Sequence, residues 1–314
     1  MTRYQEFKKV ISTLLLFAAL PLSAADCPLC DAVDMGDEEA AKALIAKGTD
    51  PNIKNDANDP ALILAAEKGR AELVDLLLAK KADINIRDGE GETPLMRAVS
   101  MGNWEIAKIL IKKGADVNAV DNLKRTALQG AARKDNMEVF QLLIDKKADV
   151  NAKDAEGNTA LINAADQINE KMIQILLKKK ADVKVQGAKG KTPLIAAAAN
   201  ASPVLVKLFL ANKADPNPQD ADGMTALMLV ASLDDAVSVK ELLAKKADVN
   251  LKNKKGRTAL SIAAEMGATE VVKLLLGANA DPSGKDDKGK TALDYATGEG
   301  HQKVIELLSK SAPK

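Results

Sequence analysis

Residues 93–125 read TPLMRAVSMGNWEIAKILIKKGADVNAVDNLKR, and residues 126–158 read TALQGAARKDNMEVFQLLIDKKADVNAKDAEGN. Both begin on Thr, place Leu two residues later, and carry Ala-Asp-Val-Asn at the same distance. Working outward, Thr93-Pro94-Leu95 recurs as Thr126-Ala127-Leu128, Thr159-Ala160-Leu161, Thr192-Pro193-Leu194, Thr225-Ala226-Leu227, Thr258-Ala259-Leu260 and Thr291-Ala292-Leu293. Every step is 33 residues. Pro60-Ala61-Leu62 and Cys27-Pro28-Leu29 fill the two earlier slots. A fixed period of this length is the mark of a stacked-repeat architecture.

One repeat can be built from its residues. Thr93 is suited to cap a helix, and Pro94 is tolerated at the first helical position. Leu95, Ala98 and Val99 lie on one face of a short helix that ends near Gly102. A second helix is predicted from about Trp104 to Lys113, with Ile106, Ile109 and Leu110 inward. Gly114 suits a left-handed C-terminal cap. Residues 115–125 read as an extended turn into the next Thr. Such a repeat cannot bury both helices by itself, so neighbours must stack on it. The expected fold class is an all-α solenoid of nine helix-pair units with extended turn tips.

Composition narrows the function. The chain has 314 residues, with 45 basic and 44 acidic side chains. Near-neutrality argues against sequence-independent nucleic-acid binding, which needs a phosphate-neutralising surface. Aromatics are 2% of the residues. Three of them precede residue 26, which leaves Trp104, Phe140, Phe209 and Tyr295 for the body of the protein. The core must therefore be filled by Ala, Leu, Ile and Val. One His and two Cys give little material for His-based acid–base chemistry or a Cys/His metal centre.

Residues 1–25 read as a cleavable secretory signal. Arg3, Lys8 and Lys9 form the basic start, Val10 to Leu22 the apolar run, and Ser23-Ala24-Ala25 the small-residue cleavage site. The apolar run is short of the roughly 20 residues that a spanning helix needs. Asp26 is the wrong residue to precede a lipidated Cys27. Export to a bacterial periplasm is expected, with no membrane contact after cleavage. From residue 26 onward the balance is 42 basic to 43 acidic residues.

Thr-Pro-Leu-x-x-Ala, a mid-repeat Gly, a Leu pair and Gly-Ala-Asp-Val-Asn at this spacing resemble ankyrin repeats, from residue 27 to about 311. The resemblance implies an N-terminal capping repeat over 26–59, seven repeats over 60–290 and a truncated cap over 291–314. The departures are specific. No repeat has His after Thr-Pro-Leu. The C-cap Gly is replaced by Lys81, Lys147, Lys180, Lys213 and Lys246. Lys there must accept an unfavourable backbone, partly offset by a cation at a helix C-terminus. The mid-repeat Gly is lost at Asp135, Ile168, Ala201 and Asp234.

Gly284 to Thr291 matches the phosphate-loop pattern letter for letter. It sits in phase with ordinary turn tips and follows no buried strand, so it reads as an accident. Cys27-Pro28-Leu29-Cys30 reads first as a structural disulfide in an exported cap. A redox pair at a helix N-terminus, an unpaired couple and a metal-bound pair are the alternatives. His301, after Gly300, reads as a junction residue, and Trp104 as a packing residue.

No catalytic constellation and no cofactor emerge from the sequence, and no metal site is called. In ankyrin proteins, binding through the turn tips and the exposed edge of each first helix is the expected mode. Arg97, Gly130, Asn163 and Ala196 occupy a usually apolar slot in consecutive repeats. They place the candidate surface at Arg97, Met101, Leu123, Arg125, Arg133, Lys134, Glu156, Asn158, Asn163, Asp166 and Gln167. Met224, Leu229, Leu233, Ile262 and Met266 form a second, apolar strip. The partner expected is another protein, specifically an exported envelope or cell-wall enzyme that the array blocks as an immunity or self-protection protein. Scaffolding of an oxidative-stress enzyme and redox use of Cys27/Cys30 are the other readings. The free protein is expected to be a monomer.

Overall fold

The computed structural model describes residues 27–311. The leader expected over residues 1–25 lies outside the described residues. Eighteen α-helices fall into nine antiparallel pairs, and no strand forms among the described residues beyond an isolated bridge between Lys54 and Pro60. The described residues divide into two compact blocks, split after residue 94.

The first block holds α1 (Pro28–Asp34), α2 (Glu38–Ala46), α3 (Ala61–Glu67) and α4 (Ala71–Ala79). Helix α1 packs on α2 and on α3, and α4 packs on α3 and on α2. Cys27 caps α1, with its sulfur accepting the Cys30 N–H, and Pro28 sits at the first helical position. Cys27 and Cys30 are joined by a disulfide, and both are buried.

The second block holds seven pairs. The first members are α5 (Pro94–Met101), α7 (Ala127–Arg133), α9 (Ala160–Asp166), α11 (Pro193–Ala199), α13 (Ala226–Ser232), α15 (Ala259–Glu265) and α17 (Ala292–Gly298). The second members are α6 (Trp104–Lys112), α8 (Met137–Asp145), α10 (Glu170–Lys178), α12 (Pro203–Ala211), α14 (Ala236–Ala244), α16 (Thr269–Gly277) and α18 (Gln302–Ser311). First helices from α7 to α17 pack in a continuous row, which their small residues permit. Ala160 to Ala165 in α9 and Pro193 to Ala198 in α11 are all buried. Second helices pack behind them, and their longer Leu, Ile, Val and Phe side chains fill the space between the two rows.

The Thr residues cap as expected at Thr126, Thr192, Thr225, Thr258 and Thr291, each accepting the N–H three residues on. Thr159 differs: its hydroxyl is buried and caps nothing. Helix α6 begins at Trp104 as predicted but is rotated relative to the expected face. Ile106, Ala107, Leu110 and Ile111 are buried and Ile109 is only partly so. Helix α6 also packs on α8 of the following repeat, which widens the apolar stripe beyond a single-partner face. Trp104 is half-buried, with its indole against Gly102.

The loops behind the second helices are tied together by asparagines. Asn118 Oδ1 accepts the Asp149 N–H at 2.8 Å, and Asn151 Oδ1 accepts the Asp182 N–H at 2.8 Å. Asn217 and Asn250 do the same for Asp248 and Asp281. Lys184 stands in the next Asn slot and cannot accept, so no such bond joins it to the following Asp215.

Lys81, Lys147, Lys180, Lys213 and Lys246 adopt φ of 62° to 67°, where Gly114 stands in its own repeat. This left-handed region costs an L-residue roughly 1–2 kcal/mol. Asp135, Ile168, Ala201 and Asp234 pay the same strain between the two helices of their repeats, with φ of 50° to 56°. Ile168 is the worst placed, because β-branching crowds this region further. Its side chain is 48% exposed, so it recovers little by burial. Ile168→Gly is expected to raise stability by about 0.5–1 kcal/mol, the relief of strain exceeding the entropy glycine adds to the unfolded chain. Urea unfolding checks this, and a lower midpoint would show that the isoleucine packs.

Candidate functional site

Six of the turn tips are built by one Asx residue each, Gly187 standing in that slot before Thr192. Asp121 Oδ1 accepts the N–H groups of Leu123 (2.9 Å) and Arg125 (2.7 Å). Asp154 holds Glu156 and Asn158 in the same way, at 3.0 and 2.8 Å. Asp88, Asp220, Asn253 and Asp286 repeat the device. Each of these tips is a rigid Asx-type turn that fixes the residues one and three before the capping Thr. Successive tips are also joined: Ala155 N–H donates to the Leu123 carbonyl at 2.8 Å, and Ala188 N–H donates to Asn158 Oδ1 at 3.0 Å. The 33-residue spacing of these Asx residues is visible in the sequence.

Five of the candidate residues converge. Leu123, Arg125, Arg133, Glu156 and Asn158, with Asp154 and Ala155, line a shallow concavity of about 220 Å³. Leu123 and Arg133 are exposed, and Arg133 makes no ion pair or hydrogen bond among the described residues. Arg125 is held by its Nε–H on Asp121, whose carboxylate is buried. Asn158 donates to Asp154 and Glu156 from its side chain and accepts from Gln129 on its carbonyl. Gln129 closes a capping box with Thr126 and donates to the Ala152 and Asn158 carbonyls at the far end of its own repeat, so it positions this floor.

The other candidates stand apart from that concavity. Asn163 is not part of an accessible surface. It is buried, and its Nδ2 donates to the Gln129 carbonyl at 3.1 Å, because a polar group enclosed between two repeats must find a partner there. Asp166 is paired with Lys191 Nζ at 3.0 Å. Met101, Lys134 and Gln167 are exposed, whereas Arg97 is half-buried on α5. In the second strip Leu233 and Met266 are exposed, Met224 and Leu229 are half-buried and Ile262 is buried.

A larger concavity, about 550 Å³, lies at the last three repeats and includes Arg257, Glu265, Asp286, Lys290 and Tyr295. The Tyr295 hydroxyl donates to Asp286, and the Arg257 guanidinium lies 4.4 Å from the Tyr295 ring centre while pairing with Glu265 at 2.6 Å. The phenol holds the Asp286 carboxyl below its ordinary range, helped by the N–H groups of Lys290 and Lys288. This settles the phosphate-loop resemblance physically. The N–H groups that would cradle phosphate are occupied by Asp286, whose charge would repel it. His301 donates from Nε2 to the Glu265 carbonyl at 2.9 Å, a junction between repeats.

Asp59, Asp88 and Glu90 bring carboxylate oxygens within 4.8 Å of one another. Asp88 spends one of its oxygens on the N–H groups of Glu90 and Glu92, as the other tips do. The arrangement is explained by loop geometry.

No curated protein matches the chain. A family model described as ankyrin repeats (3 copies) matches residues 29–121, 115–187, 179–252 and 227–314. These segments tile the same residues that form the nine helix pairs, and the chain belongs to the ankyrin-repeat family.

Proposed function

We propose that this protein is a periplasmic binding array that seats an envelope or cell-wall enzyme on the concavity around Arg133 and blocks it, as an immunity or self-protection protein. Ankyrin repeats are protein-interaction scaffolds, and the finer reading rests on one observation. Leu123, Arg125, Arg133 and Glu156 are gathered on tips held rigid by Asp121 and Asp154. A preorganised surface loses little freedom on binding. Charges of both signs around an exposed leucine suit a specific protein surface better than a uniform polyanion. Obstruction then needs no chemistry from the array.

The redox reading is disfavoured by access. Cys27 and Cys30 are 2% and 1% exposed, and disulfide exchange requires a thiolate to reach a sulfur. The bond instead staples the first turn of α1. Free in solution, the protein is a monomer in this proposal.

The test is affinity capture from an envelope extract, mass-spectrometric identification, and assay of the captured enzyme with and without the array. Specific retention of one hydrolase, inhibited in proportion to complex formed, is the expected result. Retention of an enzyme whose activity is unchanged or raised would replace inhibition with scaffolding.

A further inference from the structure

Charge is segregated in the second block in a way that the concave surface does not use. Five of the six loops that follow second helices in this block, counted from each helix's last residue, are 112–120, 145–153, 178–186, 211–219 and 244–252; the sixth, 277–285, holds one lysine and one aspartate. Together the five hold thirteen lysines, six aspartates and no arginine or glutamate. The rest of residues 26–314 has the opposite balance, 29 basic to 37 acidic. A nearly neutral protein thus carries a concentrated positive ridge.

The asparagine bonds make the ridge continuous where they occur. Asn118 and Asn151 also donate to the carbonyls of Lys147 and Lys180, at 3.4 and 3.3 Å, so successive lysine turns touch. Lys146, Lys147, Lys179, Lys180, Lys245 and Lys246 are exposed and enter no ion pair among the described residues. Aspartates of the loops are exposed but accept from the backbone two residues on: Asp149 from Asn151 and Asp182 from Lys184, each at 2.9 Å. They reduce the positive field without capping the ammonium groups.

Helix-end electrostatics does not account for these lysines. Lys146, Lys179 and Lys245 already place a cation at the C-termini of α8, α10 and α14. Lys147, Lys180 and Lys246 add a second at a strained φ that glycine occupies freely at Gly114. Strain held at successive repeats points to a use for the charge.

We propose that the ridge seats the protein on an anionic phospholipid bilayer surface. Ammonium groups on flexible stems attract a fluid, planar array of phosphates without needing register, and several together give substantial adsorption. Nucleic acid fits less well. The five segments contain no arginine fork for phosphate and no ring on which a base could stack. Adsorption is compatible with the finding that no described helix is long and apolar enough to cross a membrane. It revises the expectation of no membrane contact, which rested on the lack of a spanning segment.

The experiment is sedimentation of the protein, purified as the cell processes it, with vesicles of phosphatidylcholine alone or containing one-third phosphatidylglycerol. Binding to the anionic vesicles only, abolished by high salt, is expected. The combined variant Lys146→Gln, Lys147→Gln, Lys179→Gln, Lys180→Gln should bind at least about tenfold more weakly. A variant of equal charge change on the second helices, Lys207→Gln, Lys240→Gln, Lys273→Gln, Lys303→Gln, should retain most binding. Thermal melts by circular dichroism establish that both are folded. Equal losses in the two variants, equal binding to both vesicle types, or equally tight ridge-dependent binding of duplex DNA would each overturn the proposal. Arg133→Glu should leave vesicle binding intact, so this reading and the enzyme-blocking one fail separately.

Discussion

Phe140→Ala is expected to destabilise the protein by about 3–5 kcal/mol, the usual cost of deleting a buried phenylalanine ring. Phe140 has no exposed surface and sits on α8, which packs on both α7 and α6. Few other side chains could fill the space, since the inner row of helices is largely alanine. In a repeat array each member is stabilised mainly by its neighbours, so a lesion in the fourth repeat weakens the coupling of those on either side. Urea unfolding followed by far-ultraviolet circular dichroism should show a lower midpoint. If coupling is broken, one transition becomes two, and a single free energy then no longer describes the variant. A change below about 1 kcal/mol would mean that α8 closes over the lost ring and that the core is less rigid than described.

What was legible in the sequence was whatever repeated with the backbone. The 33-residue period gave the helix pairs because each Thr, Leu and Ala recurs at a position with one local geometry. The strained lysines were legible too, since they stand where other repeats keep glycine. The misreadings arose where a residue's partner lies far away in the sequence. Asn163 looked like a polar group offered to a ligand, but its partner is the Gln129 carbonyl 34 residues away. Asp166 looked free, but Lys191 reaches back to it from the next tip. Ile109 looked inward because a single helix was considered, whereas Ile111 is the residue that the core buries. The tip aspartates did not stand out, for another reason. Their role is to bind backbone N–H groups, which composition and charge patterning do not register.

Charge reversal at Arg133 is expected to weaken partner capture by at least tenfold, about 1.4 kcal/mol. Sequence alone put Arg97, Arg125 and Arg133 on an equal footing, and the structure separates them. Arg125 is bonded to buried Asp121, so Arg125→Glu would place two carboxylates together and damage the tip itself. Arg97 is half-buried on α5, where reversal would disturb packing. Arg133 is exposed at the end of α7, faces the concavity and holds no partner of its own, so Arg133→Glu changes the presented charge with little effect on the fold. An unchanged thermal melt should accompany the lost affinity. Large losses at an interface are confined to a few residues, so Lys147→Glu, on the ridge behind the helices, should leave capture nearly intact. The reverse ranking would move the partner to the ridge and leave the concavity without a role. Loss of capture on Leu233→Ser or Met266→Ser, with Arg133→Glu silent, would instead place the partner on the apolar strip of the seventh and eighth repeats. There the exposed side chains offer hydrophobic area in place of charge.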